Sequence, residues 1–285
     1  MRTIRSLGFR TDLFLVGLWG EVIERDRYVV VRTPDNPDFR WGNFLLYREA
    51  PDARAAAENG DGSWRADHAR ELPHARATLF AWDSPDGARG AADAFVEQGF
   101  EIDEGSILTA TRGQIVEPDK RNSDVRVAPL GSDADWAAAA RAHTNAFAPR
   151  RSGTLEDLAL FVDRQLAIYR GLQARGLGQW WGAWVEGELA GSLGLVRVPG
   201  GGVVGGALDE VLGRFQLVGV DPKFGRLGVC STMVHHVARK ALEEDGLTTL
   251  VMAADATYHA ARVYESVGFR RAERLVAVIE KPPLA

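Results

Sequence analysis

The chain has 285 residues, enough for two ordinary domains or one large one, and its apolar and charged fractions are those of a globular protein with a sizeable core. A net charge of −5 argues against a general nucleic-acid binder, which needs a basic face to displace counterions. No apolar run is long enough to span a bilayer, Met1 to Trp19 is too rich in Arg and Asp for a secretory signal, and the lone Cys230 excludes a disulfide framework or multi-cysteine zinc site and points to the cytoplasm.

In chain order, Tyr28–Arg32, Trp41–Arg48 and Thr78–Trp82 read as strands. Ala91 to Gln98 predicts a short helix stopped by Gly99, and Phe100 leads into a strand at Ser106–Thr111. The polar, acidic stretch Glu117–Asp124 reads as a joint. Val125–Ala128 is the next strand, closed by Pro129 and Gly131. Ser132 with Asp135, and Thr154 with Asp157, then mark two helix starts of the capping-box type. Gln179–Glu186 and Glu188–Val198 form a hairpin turning at Glu186-Gly187, in which adjacent Trp180 and Trp181 face opposite sides.

Beyond the glycine-rich Gly200–Gly206, Arg214–Val220 reads as a strand ending at Asp221-Pro222. A loop punctuated by Gly225 and Gly228 follows, then a helix to about Glu244 with Val229, Met233, Val237 and Ala241 on its apolar face, ended by Gly246. The strand Thr248–Ala254, a short helix at Ala260–Val267 capped by Gly268, and the strand Glu273–Ile279 complete a mixed α+β layout.

Ala91 to Phe100 and Ala260 to Phe269 share an Ala pair and a Gly-Phe pair without a gap, and each precedes a strand. This echo suggests two tandem copies of one fold, at residues 1–120 and 121–285, each a mixed, mostly antiparallel sheet flanked by helices. An unrelated amino-terminal α+β domain is the alternative.

The strand–loop–helix junction from Leu217 to Thr232 is where the sequence concentrates chemistry. A strand running through a glycine loop into a helix presents free backbone N–H groups in front of a helix dipole, a suitable seat for a pyrophosphate. Ser231 and Thr232 fall in the first turn, where their hydroxyls can reach a phosphate as well. An ordinary strand–helix turn uses the same residue types. The spacing excludes a P-loop, since no lysine precedes Ser231-Thr232, and excludes a dinucleotide fingerprint.

The stretch Leu217-Val218-Gly219-Val220-Asp221-Pro222-Lys223-Phe224-Gly225-Arg226-Leu227-Gly228-Val229-Cys230 resembles the acetyl-CoA motif of the GNAT superfamily of N-acetyltransferases, a strand ending in Val-x-Pro before Arg/Gln-x-x-Gly-x-Gly/Ala. A tyrosine in a short helix before Gly-Phe, here Tyr264 to Phe269, is the second signature, in the right order. The resemblance covers roughly Asp124 to the carboxyl terminus. It implies that two central strands splay to admit pantetheine, with Val218, Gly219 and Val220 on one wall. It further implies that the amides of Arg226, Leu227, Gly228, Val229, Cys230 and Ser231 hold the pyrophosphate, with Gly225 part of the same cofactor-binding loop. Tyr264 would be the general acid to the departing thiolate, and Thr257 stands where many members carry a cofactor-side Asn.

Two departures stand out: Gly225 occupies the usual Arg/Gln position, with Arg226 one residue late, and Cys230 replaces a small Gly or Ala. Arg214–Val220 holds no carboxylate, so Asp209 and Glu210 just ahead of it are the nearest candidates for the base, with Asp255 and His259 beyond the next strand. Adjacent His235 and His236 point about 100° apart on a helix and suit no metal. In the amino-terminal copy Phe95 replaces the tyrosine and no glycine loop is found, so that copy reads as degenerate and non-catalytic. The implied reaction is direct transfer from acetyl-CoA, without a metal, to a small-molecule or peptide amine, with no nucleic-acid or membrane partner. A non-catalytic acyl-CoA-binding or regulatory protein, and an interaction module without CoA, are the alternatives. The acceptor and the oligomeric state are open, although two fused copies can mimic a dimer.

Overall fold

The structure, a computed structural model, describes residues 3–57, 60–150, 154–200, 210–255 and 260–280. Its first half runs α1 (Leu7–Val16), β1 (Glu21–Glu24), β2 (Tyr28–Arg32), β3 (Phe44–Tyr47), α2 (Trp64–Glu71), β4 (Thr78–Trp82), α3 (Ala92–Val96) and β5 (Glu101–Thr111). The second runs β6 (Arg126–Pro129), α4 (Asp133–Phe147), α5 (Leu155–Ala174), β7 (Gly178–Val185), β8 (Glu188–Pro199), β9 (Val211–Val220), α6 (Val229–Glu243), β10 (Thr249–Asp255), α7 (Ala260–Ser266) and β11 (Arg270–Glu280).

Local signals account for most of these boundaries. Ser132/Asp135 and Thr154/Asp157 form complete capping boxes on α4 and α5. Glu186 and Gly187 both take positive φ, 50° and 86°, as a tight two-residue hairpin demands. Trp180 and Trp181 do face opposite sides, in different core clusters. Helices α1 and α2 start at single serine caps, Ser6 and Ser63, with no amphipathic pattern behind them to mark a helix. The first is apolar nearly all round and wedged among strands, and the second, WRADHARE, has no apolar periodicity at all.

The order α1-β1-β2-β3-α2-β4-α3-β5 repeats as α5-β7-β8-β9-α6-β10-α7-β11. Both copies make one parallel pair around a crossover helix, β3 with β4 and β9 with β10, and the other pairings between these strands are antiparallel. The repeated Ala…Gly-Phe segments sit at the same junction of the two copies.

One expectation is corrected. The halves do not each close a sheet of their own; they share an eleven-stranded sheet in the order β1-β2-β3-β4-β11-β5-β10-β9-β8-β7-β6. The last strands are exchanged. β5 pairs with β10 of the second half over Gly105↔Asp255 to Thr111↔Thr249, while β11 crosses to pair with β4. The two exchanged strands also pair with each other along Arg270↔Thr109 to Ile279↔Glu101. The exchange satisfies the inner edges of β4 and β10, which would otherwise present open backbone ladders. Helices α6 and α7 cover one face of the second half, and α4, α5 and part of α1 cover the other.

Candidate acyl-CoA site

The site begins where β9 leaves β10. The two pair only at Leu212↔Thr249, Gly213↔Leu250 and Arg214↔Val251, and then part. Each keeps its outer neighbour beyond that point, β9 with β8 to Val220↔Gly191 and β10 with β5 to Asp255↔Gly105. A wedge therefore opens in the middle of a continuous sheet. Gln216, Leu217, Val218 and Val220, which a closed sheet would bury, are half-exposed along it, as is Ala254 opposite.

A bulge shapes one wall. Leu217 and Val218 together oppose Leu193, and Leu217 takes a left-handed φ of 49°, which a branched side chain adopts only under constraint. Such a bulge interrupts the ladder to β8 and leaves backbone polar groups unpaired, a feature that recurs beside active sites.

The wedge leads to the amino terminus of α6. Asp221 turns the chain by accepting from the Lys223 amide at 2.9 Å, and Pro222 opens a single 3-10 turn. Arg226 (φ 64°) and Gly228 (φ 77°) then bring the backbone round into the helix. Helices α1, α2, α4 and α5 start at Ser6, Ser63, Ser132 and Thr154, each with a capping side chain; α6 starts at Gly228 with none. Among the described residues no protein acceptor bonds the amides of Arg226 to Ser231. A row of unsatisfied N–H groups at a helix amino terminus fits a pyrophosphate.

The joint between the halves braces this loop. A Cβ on Gly228 would lie 2.2 Å from the Lys120 carbonyl oxygen, so only glycine fits beneath it. Ser231 Oγ donates to that carbonyl at 3.1 Å, the Asn122 amide donates to Thr232 Oγ1 at 2.9 Å, and Asn122 Nδ2 donates to the Leu227 carbonyl at 2.8 Å. The Ser231 and Thr232 hydroxyls are thus committed to the joint rather than turned to a ligand. Burial pushes the Cys230 thiol up to about 12, which keeps it protonated and unsuited to nucleophilic work.

Tyr264 lies on α7, 4% exposed and packed in the cluster containing Met233, Phe215 and Phe269; its carbonyl accepts from the Val267 and Phe269 amides to close the helix. Gly219 is buried with its α-carbon against the His143 ring, where a Cβ would come within 2.5 Å of Nδ1. Glu210 lies at the far end of β9, about 23 Å of strand from Leu217, so the fold does not bring it to the wedge. Asp209, Thr257 and His259 lie outside the described residues. Asp255 ends β10 at the open side of the wedge, exposed.

Sequence reasoning passed over Arg214 and Gln216. They are the two polar side chains on one face of an otherwise apolar strand, Val211 to Val220, and that alternation was the available signal. Asp12 and Tyr169, which meet them, carried none.

The first half has no such wedge. There β3 and β4 pair to their ends at Tyr47↔Trp82, and the Asp83 amide continues the ladder to the Tyr47 carbonyl at 2.9 Å. α2 is capped by Ser63, and Phe95 stands in the place of the tyrosine, buried among Trp64, Phe80 and Phe100. Among the described residues no three His, Cys, Asp or Glu side chains converge as metal ligands, and no helix is long and apolar enough to cross a membrane.

Residues 142–269 match the sequence model of the acetyltransferase (GNAT) family. This part of the chain is a GNAT domain. The wedge, the uncapped α6 and the short helix bearing Tyr264 all fall inside the matched span. Solved structures similar to the chain extend the likeness to both halves. A functionally unknown conserved protein from Staphylococcus epidermidis aligns at TM-score 0.70 and 17% identity, covering 92% of this chain and 94% of its own. A GCN5-related N-acetyltransferase from Kribbella flavida aligns at TM-score 0.60 and 13% identity, over 98% and 95%. A tandem GNAT protein from the clavulanic acid biosynthesis pathway aligns at TM-score 0.51 and 14% identity, over 93% and 82%. At these identities the likeness speaks for the fold alone. No curated protein matches the sequence. Members of the GNAT family transfer acyl groups from acyl-CoA to amines, which is the general chemistry of this domain.

Proposed function

We propose that residues 121–285 form an N-acetyltransferase that uses acetyl-CoA and a substrate amine by direct attack, and that residues 1–120 are a non-catalytic half in a cytoplasmic protein. The observation that carries this reading is the open wedge between β9 and β10 leading to the uncapped amino terminus of α6. When bound, acetyl-CoA supplies an activated thioester whose carbonyl carbon bonds to the acceptor nitrogen as the carbon–sulfur bond breaks and its electron pair leaves on sulfur.

The protein's share is positioning and proton transfer. Val218 and Val220 offer backbone groups to the pantetheine amides, and the amides of Arg226 to Ser231 offer donors to the pyrophosphate. Arg226, exposed at the loop, adds a guanidinium beside them. The bulge at Leu217 supplies backbone dipoles where negative charge develops. The Tyr264 hydroxyl donates its proton to the departing sulfur. Of the two protons the acceptor ammonium sheds, one restores Tyr264 and one passes to solvent.

Calorimetric titration of acetyl-CoA into the wild type and Arg226→Glu tests the reading. One site per chain is expected, at least tenfold weaker in the variant. A folded wild type that binds no acetyl-CoA would refute it, and binding without turnover of any amine would leave only an acyl-CoA-binding role.

A further inference from the structure

Between α1, α5 and β9 lies a polar cluster that neither the apolar core nor the cofactor wedge accounts for. Arg214 is 4% exposed, and of its five N–H donors only those on Nη2 are engaged, with Asp12 Oδ1 of α1 at 2.7 Å. Among the described residues its Nε and Nη1 have no partner. Two residues on, Gln216 accepts from the buried Tyr169 hydroxyl at 3.1 Å. Gln165, one helical turn from Tyr169, is wholly buried, and neither of its amide atoms has a partner of good geometry. The rings of Trp19 and Trp180 pack on Tyr169 at 6.0 Å and 4.8 Å, and among the described residues their buried indole N–H groups also find no partner.

A buried guanidinium retained for structure is normally satisfied around its whole edge, because each orphaned donor is a standing penalty. Here the orphans are mostly donors, and they gather at one place in the fold. Arg214 is the last β9 residue paired to β10, and Gln216 immediately precedes the Leu217 bulge. The cluster therefore adjoins the inner end of the wedge. Asp12 and Gln216 are half-exposed, so it reaches the surface on the α1–α5 face.

We propose that this cluster is the acceptor subsite and that the acceptor is a small amine bearing a carboxylate, an α-amino acid or close analogue. Arg214 donates to the carboxylate from Nη1, whose two N–H groups are open, and Asp12 faces the ammonium. The inference rests on the acetyltransferase reading above. Charge favours this class. The Asp12–Arg214 pair is neutral, so a zwitterion enters without adding net charge. A plain amine or a lysine side chain would bring an uncompensated cation against a buried guanidinium. The acceptor site would then be built across the two halves, with Asp12 coming from the first.

The test uses the full chain with CoA present. Each of the twenty common α-amino acids and its carboxamide is titrated calorimetrically, and thiol release from acetyl-CoA is followed with the same panel. At least one amino acid is expected to bind and to be acylated with kcat/KM tenfold or more above its carboxamide. Arg214→Lys, which keeps a cation for Asp12 but loses the second donor nitrogen Nη1, is expected to raise KM for the acid at least tenfold and erase the preference. Carboxamides that serve as well as the acids would overturn the inference, as would a protein that binds acetyl-CoA but neither binds nor acylates any amino acid. In both cases the acetyltransferase reading survives; absence of acetyl-CoA binding would remove both. Should the lysine variant fail to fold, the wild-type preference alone decides.

Discussion

Replacing Gly228 by alanine tests whether the joint between the halves holds the cofactor loop. Two effects separate cleanly because Gly246 offers a control. Both glycines sit at similar left-handed φ, 77° and 71°, but a Cβ on Gly246 meets nothing within 4 Å, whereas on Gly228 it meets the Lys120 carbonyl at 2.2 Å. Gly246→Ala should therefore show only the conformational penalty of a left-handed L-residue, about 1 kcal/mol. Gly228→Ala carries that penalty and must also drive the joint back by more than 1 Å to reach ordinary contact. Such a retreat loosens the Ser231–Lys120, Asn122–Thr232 and Asn122–Leu227 hydrogen bonds. At about 1 kcal/mol each, the expected total is roughly 4 kcal/mol. Urea denaturation of the two variants and the wild type gives the comparison directly, and acetyl-CoA affinity should fall only in Gly228→Ala. Equal midpoints for the two variants would mean that Lys120 does not press on the loop, and the bracing account would be wrong.

Tyr264→Phe should lower kcat roughly a hundredfold while leaving the acetyl-CoA Kd near its wild-type value; an unchanged kcat would remove Tyr264 from proton transfer. Burial holds His143 and His68 neutral, their pKa values pushed down to about 4 from an ordinary 6.5. The unfolded chain takes up those protons first, so stability is full above about pH 6.5 and declines toward pH 4, by up to about 3 kcal/mol per residue. Denaturation midpoints across that range, in the wild type and in His143→Gln, should show a shallower decline in the variant. Residues 121–285 expressed alone should not fold cooperatively, because β10 loses β5 on its inner edge and β11 loses both neighbours. A soluble fragment with a cooperative melt and acetyl-CoA binding would show the strand exchange to be dispensable.

Local chemistry was legible in the sequence wherever it acts over a few residues. Capping boxes at Ser132 and Thr154, the Glu186-Gly187 turn, and the strand–glycine loop–helix at Val218 to Ser231 depend on neighbours in the chain, so their residue types declare them. The repeated Ala…Gly-Phe segments likewise announced two copies of one fold. What the tertiary structure decided is how those copies share their strands. A strand's residues record that it is buried, not which edge it completes, so nothing in Glu101–Thr111 or Arg270–Glu280 distinguishes pairing at home from pairing across. The wedge is decided the same way, since β9 parts from β10 while β8 and β5 hold each from outside. Asp12 and Arg214, 202 positions apart, meet because α1 lies over the second half, a contact that no local pattern encodes. Glu210 shows the converse: near the motif in sequence, it is carried to the far end by the extended rise of the strand it opens.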